Sequence, residues 1–298
     1  MMERGRIMGL STSAKIGFVG TGVMGKSMAL NLMNAGYPVY VYTRTKEKAE
    51  DLLTQGATWI ETVKELSQHV DVVITMVGYP SDVEEVYFGE NGILENAKEG
   101  SYVIDMTTSK PSLAVKIYEQ AKARNIHALD APVSGGDIGA KTGKLAIMVG
   151  GDGSAFEEVL PIFQSMGENI IHQGNAGAGQ HTKLANQITI ASNMIGVVEA
   201  IVYAKKAGLD PERVLDSISR GAAASFSLSQ LGPRMLKGDF APGFYVKHFI
   251  KDMTIALESA EEMGMSTPGL ALSLKLYKEL AENGEADSGT QALIKLFQ

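Results

Sequence analysis

An α/β domain built on a mostly parallel sheet, followed by an all-helical domain joined to it by a long helix, is the fold class this sequence predicts. Three observations predict it. From residue 14 to about 175, short β-rich runs alternate with amphipathic stretches. Those runs are near-continuously apolar, as strands are when helices cover both faces of a parallel sheet. After the small-residue break NAGAGQ at 175–180, strand-like runs nearly vanish, and an apolar-periodic run extends from Gln180 to about Ala207.

Taken in order, the first 13 residues, MMERGRIMGLSTS, lack the apolar core of a secretion signal and read as a frayed terminus or an alternative start. AKIGFVG (14–20), YPVYVYT (37–43), DVVITMV (71–77) and SYVIDMT (101–107) read as strands, with shorter candidates at 126–130, 145–151 and 169–174. KSMALNLMNAG (26–36) and KEKAEDLLTQG (46–56) read as helices, with Gly36 and Gly56 as their stops. Beyond the break, Asp210-Pro211 opens a helix with Asp as cap and Pro at its first position. KHFIKDMTIALESAEEM (247–263) forms another helix, ended by Gly264, and Thr267-Pro268 starts the next. The expected domains are therefore 14–175, dinucleotide-binding α/β in character, and 176–298, all-helical.

Composition narrows the function. The chain has 298 residues, 45% hydrophobic and 20% charged, which suits a globular protein of one or two domains. A net charge of −7 and the lack of a dense basic stretch argue against a nucleic-acid partner. There are no cysteines, so disulfides, thiol catalysis and Cys-based zinc sites are excluded. That usage fits a reducing cytosol, and a cytoplasmic location is expected. The five histidines are scattered without metal-ligand spacing, so no metal is expected. No uninterrupted apolar run approaches the ~18 residues of a membrane span.

The first chemical signal is GFVGTGVMGKSM. Gly20, Gly22 and Gly25 form a G-x-G-x-x-G pattern, with Thr21, Val23 and Met24 between them. Alone it is weak, because glycine supplies 33 of the residues. Here it follows an apolar strand and opens a helix, the context of a Rossmann-type dinucleotide site. Gly20 permits the tight turn, Gly22 lets the pyrophosphate approach the backbone, and Gly25 lets helix and strand pack closely. The helix N-terminus then presents N–H groups to the phosphates. A NAD site usually carries an acid at the end of the second strand. That strand ends VYTRTKEK, with Thr43 at the acid's place, then Arg44 and Thr45, and Lys48 a turn on. A guanidinium and two hydroxyls suit a 2′-phosphate that a carboxylate would repel. NADP(H) is the expected cofactor, with NAD(H) as the alternative.

Three further stretches join this one: DAPVSGG (130–136), GAGQHTKLANQ (177–187) and FAPGFYVKHFIKD (240–252). Together, and in this order, the four resemble the β-hydroxyacid dehydrogenase family, from about residue 14 to the C-terminus. That family includes 3-hydroxyisobutyrate dehydrogenases, tartronate semialdehyde reductases and glyoxylate/succinic semialdehyde reductases. The resemblance implies interconversion of a small 3-hydroxy acid, or a related hydroxy acid, and its semialdehyde. By it, Lys183 falls on the catalytic lysine, and Ser134, Gly135 and Gly136 on the loop that holds the substrate carboxylate. Asn186 and Gln187 cover the substrate-orienting amide. Thr108 lies near the nicotinamide, Lys251 near the cofactor, and the backbone at Val77 passes under it. The sequence also departs from relatives. Asn186-Gln187 resembles the tartronate semialdehyde reductases, yet Tyr245 stands where those tend to carry Arg. The resemblance further implies a homodimer or homotetramer, and no membrane partner.

The chemistry has a use for these residue types. Lys183, Asn186 and Gln187 share a helical face by their spacing. An ammonium can stabilise negative charge developing on an aldehyde oxygen and donate its proton. In the oxidative direction a neutral lysine takes the hydroxyl proton, and burial favours that neutral form. Ser134-Gly135-Gly136 offers a hydroxyl and approachable backbone N–H groups to a carboxylate. His181, two residues before Lys183, points elsewhere; Trp59 and Asp130 read as structural; Phe226, Ser227 and Phe244 are candidates to line the substrate cleft. Two other readings use the same motifs: a catalytically silent dinucleotide-binding module, and an imine reductase, in which the lysine is typically replaced.

Overall fold

The computed structural model describes residues 9–297. The expected frayed terminus therefore falls largely outside the described residues. Within them, the Leu10 N–H donates to the Glu158 carbonyl at 2.7 Å. The chain divides into two compact units, the first ending at Lys183 and the second starting at Leu184.

The first unit is a nine-stranded sheet. Its strands are β1 (Ile16–Val19), β2 (Val39–Tyr42), β3 (Thr58–Trp59), β4 (Val72–Thr75), β5 (Tyr102–Asp105), β6 (His127–Asp130), β7 (Val133–Ser134), β8 (Leu145–Gly151) and β9 (Gly167–Gly174). The order β3-β2-β1-β4-β5-β6 is parallel throughout, which is the doubly wound arrangement. Then strand direction reverses: β8 runs antiparallel to β6 and β7, and β9 pairs parallel to β8. The seven strands expected from apolar runs are all present. The two that sequence reading missed, β3 and β7, have two residues each, too few to show a pattern.

Alternation along the strands builds two cores. Ile16, Phe18, Val72, Ile74 and Ile104 face one side, where they meet Met28 and Leu32 of α1 (Val23–Asn34) and Phe156, Ile162 and Phe163 near the end of the sheet. Val19, Val73 and Val103 face the other, against Leu66, Val83, Tyr87, Leu113 and Ile117. Each fully buried side chain of this kind contributes about 1.5–3 kcal/mol. Gly17 fits this scheme: a Cβ there would collide with Leu66, so glycine lets the helix at 63–69 sit directly on β1. The expected helix at 46–56 is a 3-10 turn over 46–49 followed by a five-residue helix, Glu50–Thr54. Gly36 and Gly56 end their helices with φ of +94° and +105°, values that glycine tolerates.

The longest helix, Ala178–Lys206, has 29 residues. By length and composition it could cross a membrane, a property that a search for uninterrupted apolar runs did not reveal. Its residues Met194, Val197, Val198 and Ile201 lie in the core of the second unit, the ordinary setting of a core helix. That unit also holds helices Pro211–Ile218, Val246–Glu262 and Pro268–Leu280. Asp210 caps the first of these, accepting the Glu212 N–H at 3.0 Å. Phe249 meets Tyr277 edge-on at 5.0 Å, and the Tyr277 hydroxyl donates to the Thr290 carbonyl at 2.8 Å. The helix Ala178–Lys206 is α2.

Candidate active site

The parallel strands deliver the ends of β1, β2, β4, β5 and β6 to one edge of the sheet. The glycine turn sits there. Gly20 has φ +98°, and its N–H donates to the Tyr42 carbonyl at 2.9 Å, tying the turn to the end of β2. A Cβ on Gly20 would fall inside contact distance of the Met76 carbonyl oxygen, and one on Gly25 inside that of the Gly20 carbonyl oxygen. Around Gly22, by contrast, there is nothing within 4 Å of where a Cβ would stand. Two glycines are thus needed by the protein itself, and the third leaves open space.

Two more observations fit a dinucleotide here. Gly22 is the N-cap of α1 and supplies no side-chain cap, so first-turn N–H groups face outward. The Thr21 hydroxyl is buried and has no hydrogen-bond partner among the described residues. A buried polar atom without a partner costs free energy that a ligand can recover. Val23 is 52% exposed at the same turn, while Met24 packs against the core. The residues present therefore suit a dinucleotide.

Past β2, Thr43 is half-buried and Arg44 and Thr45 are exposed. Arg44 donates to Asp82 Oδ1 at 2.5 Å, and Asp82 Oδ2 accepts the Tyr79 N–H at 3.0 Å. The guanidinium is thereby held beside the glycine turn's own edge of the sheet. Trp59 stacks on Tyr42 with ring centroids 6.1 Å apart, a packing role in keeping with its sequence reading.

The ends of β4, β5 and β6 are knitted together by polar atoms. Thr75 Oγ1 donates to Asp105 Oδ1 at 2.8 Å, and the Thr107 N–H reaches the same oxygen at 3.1 Å. The Val77 N–H donates to Thr107 Oγ1 at 3.0 Å. So Val77 and the Thr107–Thr108 turn are joined next to the glycine loop. Burial pushes the Asp105 carboxyl up to about 6, against the opposing hydrogen bonds from Thr107 and Thr75.

Lys183 arrives through the first turns of α2. Asp130, at the end of β6, accepts the Gly177 N–H on Oδ1 and the Gln180 N–H on Oδ2, both at 2.8 Å. A carboxylate at a helix N-terminus is a favourable pairing, although burial raises the Asp130 pKa. Lys183 follows within a turn of Gln180 and is 7% exposed. The amine sought from sequence spacing is therefore buried, on a helix whose start is bonded to the sheet edge. Ser134 ends β7, and Gly135 and Gly136 have φ of +128° and +62°, so the turn after it requires glycine. His181, as expected, is exposed.

Within the second unit, a chain of side chains is bonded together. Asn186 Nδ2 donates to Gln187 Oε1 at 2.8 Å, and Gln187 Nε2 donates to Asp252 Oδ2 at 2.6 Å. Lys251 Nζ stands 3.0 Å from Asp252 Oδ1, near enough for an ion pair. Gln187 and Asp252 are 1% and 2% exposed. Burial at this level makes the amides and the ion pair a single rigid group. Asp252 was not singled out from sequence; its place next to Lys251, in the motif IKD, was the available signal. Thr107, Asp105 and Gln180 were likewise missed, and Asp130, read as structural, turns out to hold the helix of Lys183. Phe226 is 65% exposed, Ser227 is buried, and Phe244 packs with Phe249 at 5.6 Å.

Comparison with known proteins places this arrangement. Residues 15–174 match the model for the NAD binding domain of 6-phosphogluconate dehydrogenase. Residues 177–297 match the model for the NAD-binding domain of NADP-dependent 3-hydroxyisobutyrate dehydrogenase. An uncharacterized oxidoreductase of Bacillus subtilis (strain 168) is 68% identical over 95% of this chain and 98% of its own. The 2-hydroxy-3-oxopropionate reductase of Escherichia coli (strain K12) is 40% identical over 95% of this chain and 97% of its own. The structure of Mycobacterium tuberculosis 3-hydroxyisobutyrate dehydrogenase with L-serine superposes with a TM-score of 0.89, at 30% identity, over 96% of this chain and 99% of that one. With a nicotinamide-dinucleotide domain of this topology and a helical unit of this kind, the chain is an oxidoreductase and belongs to the β-hydroxyacid dehydrogenase family.

Proposed function

We propose that this protein is an NADPH-preferring reductase of small aldehyde acids, interconverting the aldehyde acid and its 3-hydroxy or related hydroxy acid, with Lys183 as the general acid and base. The observation that carries the proposal is Lys183 itself. A lysine 7% exposed, on a helix tied to the ends of β5 and β6, is costly to keep unless its amine has work to do.

The glycine turn would hold the dinucleotide's pyrophosphate, and the bound cofactor would supply or accept the hydride. In reduction, the Lys183 ammonium stabilises charge gathering on the carbonyl oxygen and gives it a proton. In oxidation, the neutral amine takes the hydroxyl proton. Ser134 and the backbone of Gly135 and Gly136 hold the substrate carboxylate. The Asn186 amide, held by Gln187 and Asp252, orients the substrate relative to the amine. Thr108, beside the Thr107 turn, and Val77 contact the nicotinamide side, and Lys251 the cofactor. The relatives support the substrate class: one is named for reducing a 3-oxopropionate, and another was solved with L-serine, a 3-hydroxy carboxylate. Succinic semialdehyde and glyoxylate remain the preferred candidates, with tartronate and methylmalonate semialdehydes beside them.

Cofactor preference rests on Thr43, Arg44 and Thr45. An Arg already facing an anionic group, Asp82, is well placed to exchange it for a 2′-phosphate. The family resemblance supports assembly as a homodimer or homotetramer. The exposed face of α2, with Ala185, Ser192, Gly196 and Tyr203, is suited to such packing. With a net charge of −7 and no cysteine, a cytoplasmic enzyme without nucleic-acid or membrane partners is the consistent assignment.

The test is oxidation of NADPH and NADH with those four aldehyde acids. Turnover with NADPH on at least one is expected, and Lys183→Ala should lower kcat by about 10²–10⁴-fold, the range of general acid–base catalysis. Cofactor binding without turnover on any aldehyde acid would favour the silent binding module. Turnover better with NADH would overturn the assignment of Arg44 alone. An imine reductase would instead consume NADPH with cyclic imines and tolerate loss of Lys183.

A further inference from the structure

Gln180 is fully buried, at 0% exposure. Its Oε1 accepts the Ser109 N–H at 2.8 Å, and its Nε2 donates to the Thr107 carbonyl at 2.7 Å. One amide therefore grips the backbone on both sides of Thr108. Thr107 in turn holds the Val77 N–H through Oγ1 and reaches Asp105 through its own N–H. On the helix, Gln180 stands three residues before Lys183, so the two are neighbours on one face.

The start of α2 has two attachments, and they constrain different motions. Asp130 holds the main chain at Gly177 and Gln180. Gly179 packs so closely that a Cβ there would stand 2.6 Å from the Asp130 carbonyl oxygen. These contacts fix how far the helix reaches toward the sheet. They leave rotation about the helix axis to be fixed by a side chain that crosses to the next loop. Gln180 is such a side chain, and it ends on the loop that carries Thr108.

We propose that Gln180 is the positioning residue that sets the Lys183 amine against the Thr107–Ser109 loop, and so against the nicotinamide side of the site. This rests on the reductase reading above. A donor and an acceptor, both buried, are needed at once; a carboxylate or a hydrocarbon supplies at most one of them. A displacement of about 1 Å is enough to cost roughly 10²-fold in rate.

The test uses the full chain with Gln180→Glu and Gln180→Asn, beside Ser273→Ala as a stability control. Ser273 is buried and donates to the Ala191 carbonyl at 3.2 Å, away from the proposed machinery. Steady-state kcat and KM are measured with NADPH and with NADPH deuterated at the transferred position. The expected result for both Gln180 variants is a kcat lower by ~10–100-fold, a cofactor Kd within about threefold of the parent, and a larger deuterium effect on kcat. Ser273→Ala should lose stability with kcat and its isotope effect unchanged. Gln180→Glu gives a second readout: its carboxyl, once protonated, again donates to the Thr107 carbonyl. Its kcat relative to the parent should therefore rise as pH falls, which a merely structural role would not produce. Should one variant fail to fold, the other carries the same expectation. Kinetics of either variant matching the parent per cofactor-binding site, with an unchanged isotope effect, would overturn the proposal while the reductase reading stood. If the parent turns over no aldehyde acid, both fall together.

Discussion

The two units hold their candidate residues by different means. At its glycine turn the first relies on main chain: the turn itself, the strand ends and the Gly135–Gly136 bend. The second holds a run of side chains together, Asn186, Gln187, Asp252 and Lys251. A main-chain site is rigid because the sheet is rigid, and it is indifferent to most neighbouring side chains. A side-chain site depends on each member keeping its partner, since buried polar groups are costly when one is removed. The first unit should therefore separate folding from binding cleanly, and the second should not.

The sharpest way to break that contrast lies in the glycine turn. Gly22→Ala meets nothing in the protein, so stability should stay within about 0.5 kcal/mol of the parent. Its methyl group fills the space left for the pyrophosphate, and cofactor Kd should rise by ~100-fold, or about 2.7 kcal/mol. Gly20→Ala should behave oppositely. It pairs a φ of +98° with a clash against the Met76 carbonyl, costing on the order of 2–6 kcal/mol of stability. Chemical unfolding beside a cofactor titration would read both. A Gly22→Ala protein that binds normally would remove the glycine turn from the cofactor site.

In the second unit, loss of function and loss of stability should travel together. Asp252→Ala deprives buried Gln187 and nearly buried Lys251 of the same carboxylate. Breaking such a pair from one side costs about 3–5 kcal/mol. Urea unfolding should show that loss, and substrate KM should rise in the fraction that folds. Asp252→Asn keeps an acceptor for Gln187 and should recover most of the stability. If Asp252→Ala were as stable as the parent, the buried run would contribute nothing to holding the second unit together.

The same contrast explains what could be read from sequence. Glycines at fixed spacing after an apolar strand report a main-chain site directly, because the residue type is itself the geometric requirement. That is why Gly20, Gly22 and Gly25, and the Ser134–Gly136 bend, were visible. Long strands were visible too, since four or more apolar residues between turn signals suffice; β3 and β7 were too short. Lys183 was legible by resemblance and by helical spacing. The partners that hold it were not. Asp130 lies 47 residues before Gly177, and Asp252 lies 65 after Gln187, and no local pattern encodes such pairings. Gln180 was in plain view within GAGQHTK, but its contacts across to Thr107 and Ser109 follow only from the sheet order.

The smallest effect expected tests the buried carboxylate beneath the first unit's site. Asp105 accepts Thr75 Oγ1 and the Thr107 N–H on one oxygen, and burial raises its pKa from 3.8 to about 6. Between those two values the folded protein binds more protons than the unfolded chain, so stability falls as pH rises from about 4 to about 6 and stays lower above that window. An Asn at this position can keep both accepted bonds through its carbonyl oxygen and carries no charge to desolvate. Asp105→Asn should therefore be close to the parent at pH 4 and gain on it toward pH 7, by an amount on the order of 2–3 kcal/mol. Urea midpoints at several pH values give the comparison, with kcat expected to change little because Asp105 supports Thr107 through acceptance alone. A gap between parent and variant that did not widen from pH 4 to pH 6 would mean that Asp105 is as comfortable charged as neutral. The hydrogen bonds from Thr75 and Thr107 would then offset the burial of the charge in full, and the end of β5 would depend on a side chain as much as the glycine turn depends on main chain.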